Sequence, residues 1–171
     1  DNTFMSPYGQ SPISLGADVV MHSATKFIGG HSDLIAGVLI TNDISLAQKL
    51  YFIQKSGGAV LSPFDSWMLL RSTKTLALRF QQHSDNAMAI AKILQGLSKV
   101  NSVIYPGLPS HKQYDHATKQ QKNPKGEPIY GSMISFECQT KKMRDLFLKK
   151  IELFTLAESL GGVESLVCVP Y

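Results

Sequence analysis

Cysteine is scarce in this 171-residue sequence: only Cys138 and Cys168 are present, far apart and in no CxxC arrangement. That excludes a paired-thiol metal site or a dithiol redox motif. Both stand in apolar, strand-like runs and read as buried free thiols, which suits a reducing cytoplasm. Long apolar runs are missing too, since none approaches the ~20 residues that cross a bilayer. No signal peptide is recognisable, and no internal repeat stands out. Charge of one sign is not concentrated: 17 basic against 13 acidic residues leave a net +4, and the densest basic cluster, Lys112 to Lys125, falls in a loop-like region. With no basic stripe interleaved with aromatics, neither a nucleic acid nor a membrane is an expected partner. His22, His31 and His83 match no HxxxH or HExxH spacing, so no metal is expected, and they read as hydrogen-bonded structural histidines. What remains is an ordinary globular composition, 43% hydrophobic and 18% charged, long enough for one core or for parts of two domains.

The most organised stretch is Asp18-Val-Val-Met-His-Ser-Ala-Thr-Lys26-Phe-Ile-Gly-Gly-His-Ser32. Its apolar run Val19-Val20-Met21 has strand composition and is expected to be largely buried. Ser23, Thr25 and Lys26 follow within four residues, and Gly29-Gly30 lets the chain turn where side chains would obstruct a ligand. An amine beside hydroxyls suits a phosphorylated aldehyde such as pyridoxal phosphate: the amine condenses with the carbonyl, hydroxyls and amides hold the phosphate, and an acid partners the ring nitrogen. A solvated surface lysine fits the same spacing, and spacing alone does not choose between them.

Asp18-Val19, Ser23-Ala-Thr-Lys-Phe-Ile28 and Gly30-His-Ser32, with Asp1-Asn-Thr-Phe4 standing 25 positions before Lys26, resemble the cysteine/methionine-metabolism family of pyridoxal-phosphate enzymes. That family includes cystathionine gamma-synthases, gamma-lyases and beta-lyases, methionine gamma-lyase and the homoserine-ester sulfhydrylases. The resemblance implies an α/β chain of the fold-type-I, aspartate-aminotransferase-like class. It implies that Lys26 is the Schiff-base lysine and catalytic base, that Asp1 pairs with the ring nitrogen, that Ser23 and Thr25 serve the phosphate, and that Thr3 adds a hydrogen bond beside the ring. An Asp in a turn or cap is the plainer reading of Asp1.

Along the chain, Pro7 to Ile13 is turn-rich, and Asp33 to Thr41 reads as a second buried strand with a glycine where backbones approach. The spacing of Ile44, Ala47, Leu50 and Tyr51 predicts a helix with Asp43 as N-cap. Gly57-Gly58 reads as a flexible joint. Ser62-Pro63 opens a helix expected to run to about Leu97, with Ala87, Ile90, Ala91, Leu94 and Leu97 on its packing face. Pro63 to Arg71 and Lys74 to Arg79 again resemble the family, which joins its two domains through this helix. We therefore expect residues 1–76 to be the C-terminal part of the cofactor domain and 77–171 an incomplete second domain. In that second part, Val103 to Tyr105 reads as a strand, Lys119 to Tyr130 as a solvated loop, Met133 to Cys138 as a strand, Lys141 to Ile151 as an amphipathic helix, and Phe154 to Leu156 as a short strand.

The last informative block is Leu156-Ala-Glu-Ser-Leu-Gly-Gly-Val-Glu-Ser-Leu166. On the resemblance, Ser159 lies near the substrate carboxylate and Lys26; read alone, it is a strand-end turn serine. Glu158 resembles the residue of cystathionine lyases and synthases at this place, where a carboxylate meets the distal amino group of cystathionine. The expected function is a cystathionine lyase acting by gamma- or beta-elimination on a small sulfur amino acid. Cystathionine gamma-synthase, or another homoserine-ester replacement enzyme, is the alternative. Family members are homotetramers built from dimers. Their ring-stacking aromatic, the phosphate-binding tyrosine and arginine lent by a neighbouring subunit, and the arginine that clamps the substrate carboxylate have no counterpart in these residues. The sequence thus covers less than half of a typical member, and a catalytically incomplete fragment is the reading from a different class.

Overall fold

The structure is a computed structural model and describes residues 1–170. Its elements follow in the order α1 (Ser6–Gly9), a 3-10 turn (Pro12–Leu15), β1 (Val20–Ser23), β2 (Gly37–Ile40), α2 (Ile44–Gly57), α3 (Pro63–Thr73), α4 (Leu76–Gln95), β3 (Val100–Ile104), α5 (Tyr114–Gln120), β4 (Ser135–Cys138), α6 (Lys141–Lys150), β5 (Thr155–Leu156) and β6 (Leu166–Val167). Strands alternate with helices, as an α/β chain requires. They pair as three two-stranded ladders: β1 with β2 and β3 with β4 antiparallel, β5 with β6 parallel.

The helix ends follow local chemistry. Asp43 caps α2 by accepting the amides of Ser45 and Leu46, and Ser62 caps α3 by accepting the amide of Asp65, with Pro63 in the first turn. Both groups meet N–H donors that a helix start leaves unpaired. Gly58 is no free joint: at φ 72° it closes α2 in the left-handed conformation, which glycine adopts without penalty.

The single helix expected over about 63–97 is two helices, broken at Lys74–Thr75. The cause lies in the run Ser72-Thr-Lys-Thr75. The amides of Lys74 and Thr75 bond three residues back, to Arg71 and Ser72, and the Thr75 hydroxyl also donates to the Ser72 carbonyl. Side-chain hydroxyls competing for backbone partners tighten and end a helix. The break falls next to the boundary expected near Leu76. Two clusters form the interior. Leu76 and Phe80 at the start of α4 join Met5, Phe27, Leu34 and Ile129 in the first; Ala87 and Ala91 join Tyr105 and Leu108 in the second.

Other expectations change in detail. In β1 Val20 and His22 are buried while Met21 is exposed, as is Val19 just before the strand, so the strand alternates as a two-faced strand does. Residues 33–36 are not strand, and β2 is mostly exposed. Cys138 is half-buried and Cys168 exposed, rather than both buried. Lys119 to Tyr130 is folded rather than loosely solvated: α5 enters it, Asn123 closes it by accepting the amides of Lys125 and Glu127, and Ile129 is buried in the first core. No helix of the described residues is long and apolar enough to cross a membrane.

Candidate active site

The site begins with strand β1. The amide of Asn2 donates to the Met21 carbonyl at 2.9 Å, and the Thr3 hydroxyl accepts the amide of Ser23 at 2.8 Å. Two bonds thus lay residues 1–3 along the strand that leads into Lys26. Asn2 is itself buried and anchors the turn beneath it by donating to the carbonyls of Ser6 and Gln10. Asp1 is exposed, with one carboxylate oxygen accepting the Thr3 amide at 2.7 Å. Thr3 thereby straps the first residues to the end of β1.

After Ser23 the chain coils tightly. Lys26 N–H donates to Ser23 O, Gly29 N–H to Ala24 O and Gly30 N–H to Lys26 O, the last two at 2.7 Å. The flanking Ala24, Phe27 and Ile28 are buried, which fixes the Lys26 backbone while its side chain stays half-exposed. Phe27 packs edge-on against Phe80, ring centres 5.0 Å apart. Thr25 and Ser23 differ here. The Thr25 hydroxyl donates to the Ala36 carbonyl at 3.3 Å and accepts the Ala36 amide at 2.9 Å, so its proton already has a partner, though a long one. Ser23 is half-buried at the strand end, and its hydroxyl has no partner among the described residues.

The Lys26 amine donates to the Ser159 hydroxyl at 3.0 Å, across 133 positions of sequence. Among the described residues the one ion pair is Arg144 with Asp145, so no carboxylate competes for this amine. Ser159 rides on the loop between β5 and β6 with φ 147°, a conformation that side chains rarely adopt and that marks a constrained site. Gly161 explains how the loop comes so close. It has φ 79°, and a β-carbon there would stand 2.8 Å from the Lys26 carbonyl carbon and 3.0 Å from the Phe27 ring. The Ser32 hydroxyl donates to Glu164 at 3.2 Å, tying the same loop to the segment after Lys26. Glu158, next to Ser159, is exposed and makes no side-chain hydrogen bond with the described residues.

The structure therefore brings Lys26 to Ser159 and Asp1 and Thr3 to the strand end at Ser23, and it leaves Glu158 at the rim. Two of the three histidines are not hydrogen-bonded as expected. His31 Nδ1 pairs with the Gly29 carbonyl at 2.8 Å, but His22 Nδ1 and His83 Nε2 are buried without partners. Burial holds both below the ordinary imidazole range, with Arg79 adding to it at His83. Sequence reasoning missed Gly161 and Arg79. Gly161 carried a weak signal in Gly161-Gly162; Arg79 carried none, because its partners lie about 50 residues away.

Comparison with known proteins gives a consistent result. A sequence model described as Cys/Met metabolism PLP-dependent enzyme matches residues 1–171. The chain is 52% identical over 170 residues to the cystathionine beta-lyase of Lactococcus lactis subsp. cremoris (strain MG1363), covering 99% of this chain and 43% of that protein. It is 53% identical over 171 residues to the cystathionine gamma-lyase of Dictyostelium discoideum, with the same two coverages. Among solved structures, cystathionine gamma synthase from Xanthomonas oryzae pv. oryzae, in complex with aminoacrylate and cysteine, superposes with a TM-score of 0.92 at 44% identity, covering 98% of this chain and 42% of the other. The chain thus spans less than half the length of the relatives it matches.

Proposed function

This chain belongs to the Cys/Met-metabolism family of PLP-dependent enzymes, and we propose that the whole protein is a cystathionine lyase whose cofactor-bearing residue is Lys26. The family's cofactor is pyridoxal 5'-phosphate. The residues present fit that group. Lys26 offers an amine with one neutral partner and no counter-ion, Ser23 a free hydroxyl at the strand end, and Asp1 a carboxylate tied to the same strand through Thr3. Lys26 would hold the cofactor's aldehyde carbon, Asp1 its ring nitrogen, and Ser23 with Thr25 its phosphate. When bound, this cofactor supplies an electron sink for a carbanion at the substrate α-carbon.

The chain's own residues then have separable tasks. Lys26 Nζ removes the α-proton of the amino acid, and for loss of a γ-substituent the same amine, once relieved of that proton, takes a second proton from the β-carbon. Ser159 Oγ, accepting from that amine, orients it toward the substrate rather than toward solvent. Phe27 and Ile28, buried beside Lys26, keep its backbone from following the side chain when it moves. Glu158, exposed at the rim, is placed to meet a distal ammonium group, the feature that separates cystathionine from shorter sulfur amino acids. The observation that carries the reading is the Lys26 Nζ to Ser159 Oγ contact, which joins two distant segments at one amine.

In the full-length protein, borohydride reduction and peptide mapping should place the pyridoxyl label on Lys26, and Lys26→Ala should abolish both the label and nearly all turnover. Turnover retained by that variant would refute the assignment. With cystathionine as substrate, cysteine with 2-oxobutanoate identifies a gamma-lyase and homocysteine with pyruvate a beta-lyase. Neither product pair from cystathionine, together with formation of cystathionine from a homoserine ester and cysteine, identifies the gamma-synthase reading. Exposed Tyr51, Phe52, Phe64, Trp67 and Leu70 on α2 and α3 support burial of these faces in the complete homotetramer, and on the same grounds we expect the 171-residue piece alone to be inactive.

A further inference from the structure

We propose that Arg79 is a positioning residue for Lys26: its guanidinium clamps the two carbonyls that follow the lysine and so fixes where the amine emerges. This rests on the reading of Lys26 as the cofactor-bearing base. The coil after Ser23 leaves Phe27 O and Ile28 O with no amide partner, although both residues are buried, and buried carbonyls are almost always paired. Arg79 supplies the donors. Nη1 donates to Phe27 O at 2.7 Å and Nη2 to Ile28 O at 3.2 Å. The other side of the same group is fixed to the helix joint, Nη2 to Ser72 O at 3.0 Å and Nε to the Thr75 hydroxyl at 3.0 Å. One planar fork therefore spans from the α3–α4 break to the Lys26 turn.

Space for it is made by Gly30. That residue has φ 72°, and a β-carbon there would overlap Nη1 and the guanidinium carbon. Gly30 is thus required twice, for its conformation and for room. A lysine at position 79 offers a point charge with no fork and reaches one carbonyl at a time. Arg79 touches neither the amine nor Ser159, so it acts through the backbone of Phe27 and Ile28. Displacement of a reacting group on the ångström scale costs up to about a hundredfold in rate, and partial release of the turn should cost about tenfold.

The test uses the full-length holoenzyme carrying Arg79→Lys, with Gly30→Ala disturbing the same contact from the opposite side while leaving the arginine in place. Expected for each is a kcat about tenfold lower, a substrate KM within twofold, undiminished cofactor absorbance, and a displaced pH profile of kcat. A kcat and pH profile within twofold of the parent in either folded variant overturns the proposal. So does failure of both variants to fold where Lys26→Ala folds, which would make Arg79 a matter of stability alone. Lys26→Ala, run alongside, separates the two levels: if it retains turnover the cofactor reading itself falls, whereas an inactive Lys26→Ala beside a fully active Arg79→Lys sinks only the clamp.

Discussion

Replacing Gly161 by alanine asks how the loop bearing Ser159 is held over Lys26. The added methyl would meet the Phe27 amide nitrogen at 2.5 Å, the Lys26 carbonyl carbon at 2.8 Å and the Phe27 ring at 3.0 Å, contacts no side chain sustains. Either the Lys26 turn moves or the loop does. The turn is braced by the Ala24–Gly29 and Lys26–Gly30 bonds, by two bonds from Arg79 and by the packing of Phe27 on Phe80. The loop is held near it by the exposed Ser32–Glu164 hydrogen bond, worth about 0.5–1.5 kcal/mol, so the loop yields. To that loss is added about 1–2 kcal/mol for a non-glycine residue in the left-handed region, giving roughly 1.5–3.5 kcal/mol in all. Urea denaturation of the full-length protein should register that loss, and steady-state kinetics should show kcat falling at least tenfold as Ser159 leaves the amine, with cofactor retained. A Gly161→Ala enzyme with parental stability and parental kcat would refute the close approach of this loop to Lys26.

Two further outcomes follow from buried polar groups. Thr3→Val removes the acceptor for the Ser23 amide and should destabilise by about 1–3 kcal/mol in denaturant titrations, with weaker retention of cofactor; an unchanged midpoint would dismiss the strap. Tyr105 is fully buried and donates to Gly131 O at 2.9 Å, and burial pushes its hydroxyl up to about 12 from an ordinary 10.0. Its neutral form is favoured by folding, so its contribution is whole below pH 10 and is lost as pH rises from there toward about 12. Thermal unfolding across that window should steepen with pH in the parent and flatten in Tyr105→Phe, and identical slopes would show that this hydroxyl is not desolvated.

The parts legible in the sequence are those decided over a few residues. Asp43 and Ser62-Pro63 cap their helices because capping needs only three or four neighbours, and Lys26 stands in a contiguous run of small and hydroxyl-bearing residues. Asp1 and Ser159 were singled out only through resemblance, since nothing local distinguishes a turn aspartate from one expected to partner a ring nitrogen; the structure shows Asp1 accepting the Thr3 amide and Ser159 accepting the Lys26 amine. What escaped is non-local or competitive. The break at Lys74–Thr75 arises because two hydroxyls, those of Thr73 and Thr75, bid for carbonyls inside an otherwise regular apolar pattern. Arg79 reads as one more surface cation on a helix, until the unpaired carbonyls of Phe27 and Ile28 are found opposite it. His22 Nδ1 and His83 Nε2 defeat the expectation of paired histidines because apolar neighbours from distant parts of the chain bury them, which no local pattern signals.

Helix α4 enters the first hydrophobic cluster at Leu76 and Phe80 and leaves through the second at Ala87 and Ala91, with Arg79 between the first pair. The helix is therefore a lever whose short arm is bonded to the Lys26 turn and whose long arm is embedded in the Tyr105 cluster. A shift of α4 would be felt at the two carbonyls behind the lysine, because the guanidinium is bonded to both.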